Sequence, residues 1–130
     1  MKFVIGGAFQ GKKSYACQIF QIEETAVTDG TVCDRDAIFQ AEMLVHFQDY
    51  IRRFLGEEEF LMELPGELLR RNPEAVLVTN ELGYGVVPID AFDRKYREIH
   101  GRLCCALAKE AREVHRVICG IGTVIKDAAV

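Results

Sequence analysis

An excess of basic charge is the first thing this sequence lacks: Lys and Arg number 16 against 20 Asp and Glu, for a net charge of −4. Nonspecific nucleic-acid binding is therefore not expected. Long apolar runs are also missing, so no membrane span is expected. Lys2 is followed by a short apolar run and not by a signal core, which leads to the expectation of a cytoplasmic protein. No Cys-x-x-Cys pair occurs among the five cysteines (Cys17, Cys33, Cys104, Cys105, Cys119), and the three histidines are scattered. That argues against a structural zinc site and fits a reducing compartment. The neighbours Cys104 and Cys105 read as one buried thiol and one at a helix flank, not as a redox pair. Proline is scarce, with three residues, and there is no repeat, low-complexity segment or linker. The expectation is one domain over 1–130, large enough for a core. Apolar content of 49% and charged content of 28% are ordinary globular values.

What is present begins at Gly6-Gly7-Ala8-Phe9-Gln10-Gly11-Lys12-Lys13-Ser14. The apolar run Phe3-Val4-Ile5 precedes it and a helical pattern from Tyr15 follows. Strand, glycine loop, lysine, helix is the layout of a phosphate cradle. Its backbone N–H groups and the new helix's N-terminus face the same anion. Gly6 to Lys12 fits G-x-x-x-x-G-K, but the next position, where a hydroxyl holds Mg²⁺, is Lys13. A second register would match Gly7, Lys13 and Ser14 and put Lys12 in place of the second glycine. The first is preferred, because Lys12 would be strained at a glycine position.

Further along, Thr25 to Thr28 is a short strand ending at Asp29-Gly30. Asp29 either holds Mg²⁺ through water, as an acid at a strand end beside a P-loop does, or simply makes an Asp-Gly turn. Asp34 or Asp36 caps a helix running to about Leu55, with Leu44, Phe47, Ile51, Phe54 and Leu55 as its buried stripe. His46, Asp49, Tyr50 and Arg53 fall on another face, either solvated or in contact with substrate or a neighbouring subunit. Glu57 to Glu59 opens a further helix that Pro65-Gly66 interrupts and Asn72-Pro73 ends. Ala75 to Thr79 is a strand buried on both faces, followed by Asn80-Glu81 and glycines where open α/β sheets bind ligands. Asp90 caps a long helix with the core stripe Phe92, Tyr96, Ile99, Leu103 and Leu107. Val114 to Cys119 is the last buried strand, and 123–126 forms a short extra one. The pattern β-α-β-α-α-β-α-β predicts an α/β P-loop nucleotide-binding fold, a mainly parallel sheet flanked by helices.

The segment Val76 to Pro88 resembles the V-x-V-[ST]-N-E-V-G-x-G-x-V-P motif of the cobinamide kinase / cobinamide-phosphate guanylyltransferase family of cobalamin biosynthesis. Arg94 to Arg102 is similar to that family's R-x-[FY]-R-[DE]-x-x-G-R, and 120–126 to its terminus. Gly6 to Lys12 resembles its G-G-x-R-S-G-K-S loop. The resemblance covers the second half of the chain and about the first fifteen residues. It implies ATP or GTP, Mg²⁺ and a corrinoid small molecule as ligands, and a homo-oligomer. It implies a phosphate site at Gly6, Gly7, Gly11 and Lys12, with Asn80, Glu81 and the glycines after it lining the same cleft. The rest of the loop, Ala8, Phe9, Gln10, Lys13 and Ser14, is expected to take part in nucleotide binding with them. Lys12 would stabilise the transferred phosphoryl group, and Glu81 would orient or deprotonate the acceptor hydroxyl. The chain departs from the family at Phe9 (arginine), Lys13 (the Mg²⁺ serine) and Cys104-Cys105 (Asn-Gln). The family's middle, with its nucleotidyl-accepting histidine, is shortened here. Either that segment is deleted, or Glu42-Met43 and His46 are its remnant at altered spacing. Two readings follow: a phosphotransferase acting on adenosylcobinamide, or a non-catalytic nucleotide- or anion-binding subunit.

Overall fold

The computed structural model describes residues 1–82 and 90–127. Strand β1 (Lys2–Gly6) leads into α1 (Lys12–Ile19), then β2 (Val27–Asp29), β3 (Met43–Val45), α2 (Phe47–Arg53), α3 (Glu58–Arg71), β4 (Val76–Asn80), α4 (Ala91–Glu110), β5 (Glu113–Ile118) and β6 (Ile121–Lys126). The six strands form one sheet in the order β2-β3-β4-β1-β5-β6. The first five pair in parallel, and β6 closes the edge antiparallel to β5. This is the α/β P-loop architecture expected from the alternation of strands and helices.

Side-chain alternation along the strands divides the core between two faces. Phe3, Leu44, Leu77 and Val114 point toward α2, α3 and α4 and pack with Phe47, Tyr50, Ile51, Leu61, Leu64, Leu68, Ile99, Leu103 and Leu107. Val4, Met43, Val45, Val76, Val78 and Val117 face the other way, against Ala16, Tyr15 and Phe20. The central strands are covered on both faces, which is why they read as continuous apolar runs. Helix α1 stops without a glycine: Gln21 takes φ 55, and the Ile22 N–H donates to the Cys17 carbonyl at 3.0 Å. That is the six-to-one bond of a Schellman end.

Four expectations are corrected here. The single helix from Asp34 or Asp36 to Leu55 does not exist. In its place are a 3-10 turn (Arg35–Phe39), β3 and the short α2. Leu44 and Phe47 coincide with helical spacing, but Met43-Leu44-Val45 is a strand wedged between β2 and β4 and buried on both faces. His46 (φ 56, ψ 42) turns the chain in the left-handed region, which no continuous helix passes. Tyr50, placed by periodicity on a polar face, is completely buried. Pro65-Gly66 does not interrupt α3, which runs unbroken across it. Pro65 forfeits the bond to the Leu61 carbonyl, and the burial of Leu61, Leu64 and Leu68 offsets that loss. Phe92 is 45% exposed and lies beside Arg52 instead of joining the core stripe of α4.

The end of α3 is tied back to the chain before β3. The Asn72 side-chain amide donates to the Ile38 carbonyl at 3.0 Å and the Ala41 carbonyl at 2.9 Å.

Behind β4 lies a buried polar chain. Gln48 Oε1 accepts from the Asn80 N–H at 3.0 Å, and the Tyr96 hydroxyl donates to the Gln48 carbonyl at 2.8 Å. The Thr79 hydroxyl sits 3.0 Å from His100 Nε2, and the Cys104 thiol 3.5 Å from the same nitrogen. Burial pushes the Cys104 thiol up to about 12 and lowers His100 to about 4 from its ordinary 6.5. The unfolded chain therefore takes up the His100 proton before the folded chain does. The stability this neutral imidazole contributes is full above pH 6.5 and is lost as pH falls toward about 4. The expected acid loss is on the order of 3 kcal/mol. Urea melts of wild type and His100→Gln at several pH values check it, and parallel acid profiles for the two proteins would refute it.

Candidate functional site

The loop after β1 is built by close backbone approaches. A Cβ on Gly6 would stand 2.4 Å from the Val117 carbonyl oxygen, so only glycine lets β1 and β5 pass at that point. Gly11, at φ +82, turns the chain into α1 and lies against Gly120. The loop is pinned to the β5–β6 hairpin. Gln10 Oε1 accepts from the Cys119 N–H at 2.6 Å, and the Gly120 N–H donates to the Gln10 carbonyl at 2.7 Å. Cys119 and Gly120 both have positive φ, as a two-residue type I′ turn requires. Phe9, also at positive φ, projects fully into solvent.

Lys12 is the lysine folded into the loop. It is 8% exposed, and its ammonium donates to the Gly7 carbonyl at 2.6 Å. Burial lowers its pKa from the usual lysine value, with the Glu81 carboxylate acting in the opposite direction. Lys13 and Ser14 lie on the exposed side of the first turn of α1.

Two segments far apart in the sequence meet here because β1 and β4 are neighbours. Gly6 pairs in register with Asn80, and the Glu81 N–H donates to the Gly6 carbonyl at 2.8 Å. A cleft of about 380 Å³ opens over the loop, lined by residues 8–14, Asn80 and Val78, and by Val45, His46, Gln48 and Asp49 from the end of β3 and the start of α2. Glu81 is not part of this lining. Arg116 holds both of its carboxylate oxygens, Nε donating at 2.8 Å and Nη2 at 3.3 Å, which ties the end of β4 to β5 across β1. The glycine-rich stretch 83–88, expected to line the same cleft, lies outside the described residues.

Asp29 ends the edge strand β2, on the far side of β3 from β4, and is also absent from the cleft lining. His46 Nδ1 donates to its Oδ1 at 3.0 Å and the Thr31 N–H at 2.9 Å. These two bonds, the imidazole's first, hold the Asp29 carboxyl below its ordinary value. The Asp29-Gly30 turn packs under His46: Gly30 has the carbonyls of Val45 and His46 within 3 Å of where a Cβ would be. Arg53 clamps the same turn, donating to the Gly30 and Cys33 carbonyls at 2.8 and 2.7 Å. Of the polar set His46, Asp49, Tyr50 and Arg53, only the first two reach the cleft. Gln48 and the apolar walls Val45 and Val78 were not anticipated, because β3 itself was not. The signal available was a polar triplet directly after a short apolar run.

Mg²⁺ in a P-loop fold is held by a hydroxyl after the loop lysine and by an acid at a neighbouring strand end. Here those places carry Lys13, Asn80 at the end of β4 and His46 just after β3. The acidic member of the lining among the described residues is Asp49, which accepts from Gln48 Nε2 at 3.1 Å. Among the described residues, no three His, Cys, Asp or Glu side chains converge as a metal site. The donor set does not fit Mg²⁺.

A family model described as cobinamide kinase / cobinamide phosphate guanyltransferase matches residues 43–125, from the first residue of β3 into β6. The "bifunctional adenosylcobalamin biosynthesis protein CobU" of Escherichia coli K12 is 49% identical over 53 residues, covering 41% of this chain and 29% of that protein. The Salmonella typhimurium protein of the same description gives the same figures. "Bifunctional adenosylcobalamin biosynthesis protein CobP" of Pseudomonas aeruginosa is 37% identical over 75 residues, 58% of this chain and 42% of that protein. The chain thus matches under half the length of each of these relatives. With the strand order and the P-loop geometry beside them, these matches establish that the chain belongs to the cobinamide kinase / cobinamide phosphate guanyltransferase family.

Proposed function

We propose that this chain binds ATP or GTP through the Gly6–Ser14 loop and acts at the phosphorylation of a cobinamide-type corrinoid in cobalamin biosynthesis. The observation that carries the reading is the convergence of the loop, with Lys12 folded into it, and the Asn80 strand end on one cleft. Backbone N–H groups of the loop and the N-terminus of α1 receive the phosphates. The Lys12 ammonium exchanges the Gly7 carbonyl for a phosphate oxygen and stabilises the charge that develops on the transferred group. Asn80 and Gln48 supply neutral hydrogen-bonding groups to the acceptor side, and the Glu81–Arg116 pair fixes the β4 end that carries Asn80. Guanylyl transfer is not part of this reading.

A second reading is a nucleotide-binding subunit that does not turn over. It is favoured by the paired state of Glu81, whose two oxygens both accept from Arg116, and by the lysine at the metal-hydroxyl position. Calorimetry with a non-hydrolysable ATP or GTP analogue, followed by turnover of the triphosphate with and without cobinamide, separates them. Corrinoid-dependent phosphoryl transfer supports the kinase, and saturable binding without turnover supports the subunit. Absence of nucleotide binding would remove both.

A further inference from the structure

The positions from which a P-loop fold would hold a divalent cation are not merely empty of acids; two of them carry basic groups facing the same cleft. Lys13 follows the loop lysine, and His46 directly follows β3, the second strand away from β1 across β4. The His46 imidazole is also aimed. Its Nδ1 is committed to Asp29 at 3.0 Å, and Asp29 is itself oriented by the Thr31 N–H. A carboxylate on Nδ1 fixes the ring orientation, and it is the doubly protonated ring, with Nδ1–H on Asp29, that presents an Nε2–H donor to a ligand. The left-handed backbone at His46 turns the chain there between β3 and α2, and Gly30 and Arg53 brace the turn beneath it.

We propose that this cleft binds the polyphosphate of its ligand without a divalent cation, with Lys13 and the Asp29-oriented His46 supplying the positive charge and hydrogen-bond donation that Mg²⁺ gives elsewhere. This rests on the loop being a phosphate site, as proposed above. Groups facing His46 from the packed elements are Asp29 of β2, Asp49 of α2 and the loop lysines. Asp49 is the repulsive member, and its bond from Gln48 Nε2 at 3.1 Å draws one of its oxygens away from the ligand. Asp29 serves as the counter-charge that holds the imidazole, so it is a positioning residue.

The probe is inorganic tripolyphosphate, measured by calorimetry in a chelator and again in excess Mg²⁺. Wild type is expected to bind equally well in both, within about twofold. His46→Asn, which tolerates the left-handed backbone, is expected to bind about tenfold more weakly in both, the size of a lost hydrogen bond to a charged group. Asp29→Asn should show a smaller loss of the same kind. The double variant Lys13→Ser with His46→Asp rebuilds a hydroxyl and an acid, and its binding should become Mg²⁺-dependent. Tenfold or greater dependence of wild type on Mg²⁺, or an unchanged affinity in a folded His46→Asn, overturns the inference while leaving the phosphate site standing. No binding of tripolyphosphate in either condition overturns the phosphate site itself, and this inference with it.

Discussion

On the proposed nucleotide site, Lys12→Ala is expected to lower triphosphate affinity by about a hundredfold or more while leaving the fold within about 1 kcal/mol of wild type. The affinity loss follows from the charge-assisted bonds that an ammonium makes to phosphate oxygens, which are worth about 1.5–3 kcal/mol each. The modest effect on stability follows from two opposing terms. The variant loses the 2.6 Å bond to the Gly7 carbonyl, but it also removes a buried lysine whose charge is disfavoured by burial. Lys13→Ala is the contrasting variant. Lys13 is exposed and makes no bond within the loop, so its removal should weaken binding by about tenfold at most. Calorimetric titration of both variants with an ATP analogue, beside urea melts, checks the pair. A larger loss in Lys13→Ala than in Lys12→Ala would show that the second register, with Lys13 as the phosphate lysine, is the right one.

Tyr50→Ala is expected to destabilise the protein by about 3–5 kcal/mol, the usual range for an aromatic truncation in a packed core. Tyr50 is completely buried, stacked on Phe47 at 5.9 Å between ring centroids and tilted on Phe54 at 4.9 Å. Its hydroxyl donates to the Arg35 carbonyl at 2.7 Å, joining α2 to the 3-10 turn before β3. Burial holds that hydroxyl's pKa well above the ordinary tyrosine value, so it remains a donor across the pH range of a folding experiment. Tyr50→Phe keeps the ring and loses only this bond, at a cost of about 1 kcal/mol. Because Gln48 and Asp49 of the same helix line the cleft, Tyr50→Ala should also weaken ligand binding at temperatures where the variant is still folded. Urea denaturation of the two variants is the measurement. A Tyr50→Ala loss below about 1 kcal/mol would mean that α2 is not anchored in the way described.

The two halves of the chain were unequally legible. From β4 onward, each element is long enough for its pattern to exceed chance coincidence. Val76 to Asn80 is an uninterrupted apolar run ending in polar residues, and α4 carries Tyr96, Ile99, Leu103 and Leu107 on one stripe behind an Asp90 cap, which the Phe92 N–H confirms by donating at 2.7 Å. Between Asp34 and Leu55 the elements shrink to three, five and seven residues. In a strand of three residues buried on both faces there is no alternation to read, and its Leu44 falls by accident on the helical spacing of Phe47 and Ile51. Tyr50 was misplaced for another reason: α2 is buried beyond the expected stripe, with Gln48 and Tyr50 covered as well as Phe47 and Ile51.

What the sequence by itself determined are features set by local chemistry. Glycine permits the close approach at Gly6 and the positive φ at Gly11, a lysine follows them, and the strand before and the helix after are specified by their own periodicity. The tertiary structure alone decided which residues share the cleft. Strand order is a matter of pairing between segments far apart in the chain, and it inserted β4 between β1 and β3, carrying Asn80 to the loop and His46 to the cleft wall while leaving Asp29 behind it. Ion pairing made the remaining choice: Arg116 from β5 took Glu81, and His46 took Asp29, so the two acids that spacing recommended are engaged by partners that only the folded chain brings within reach.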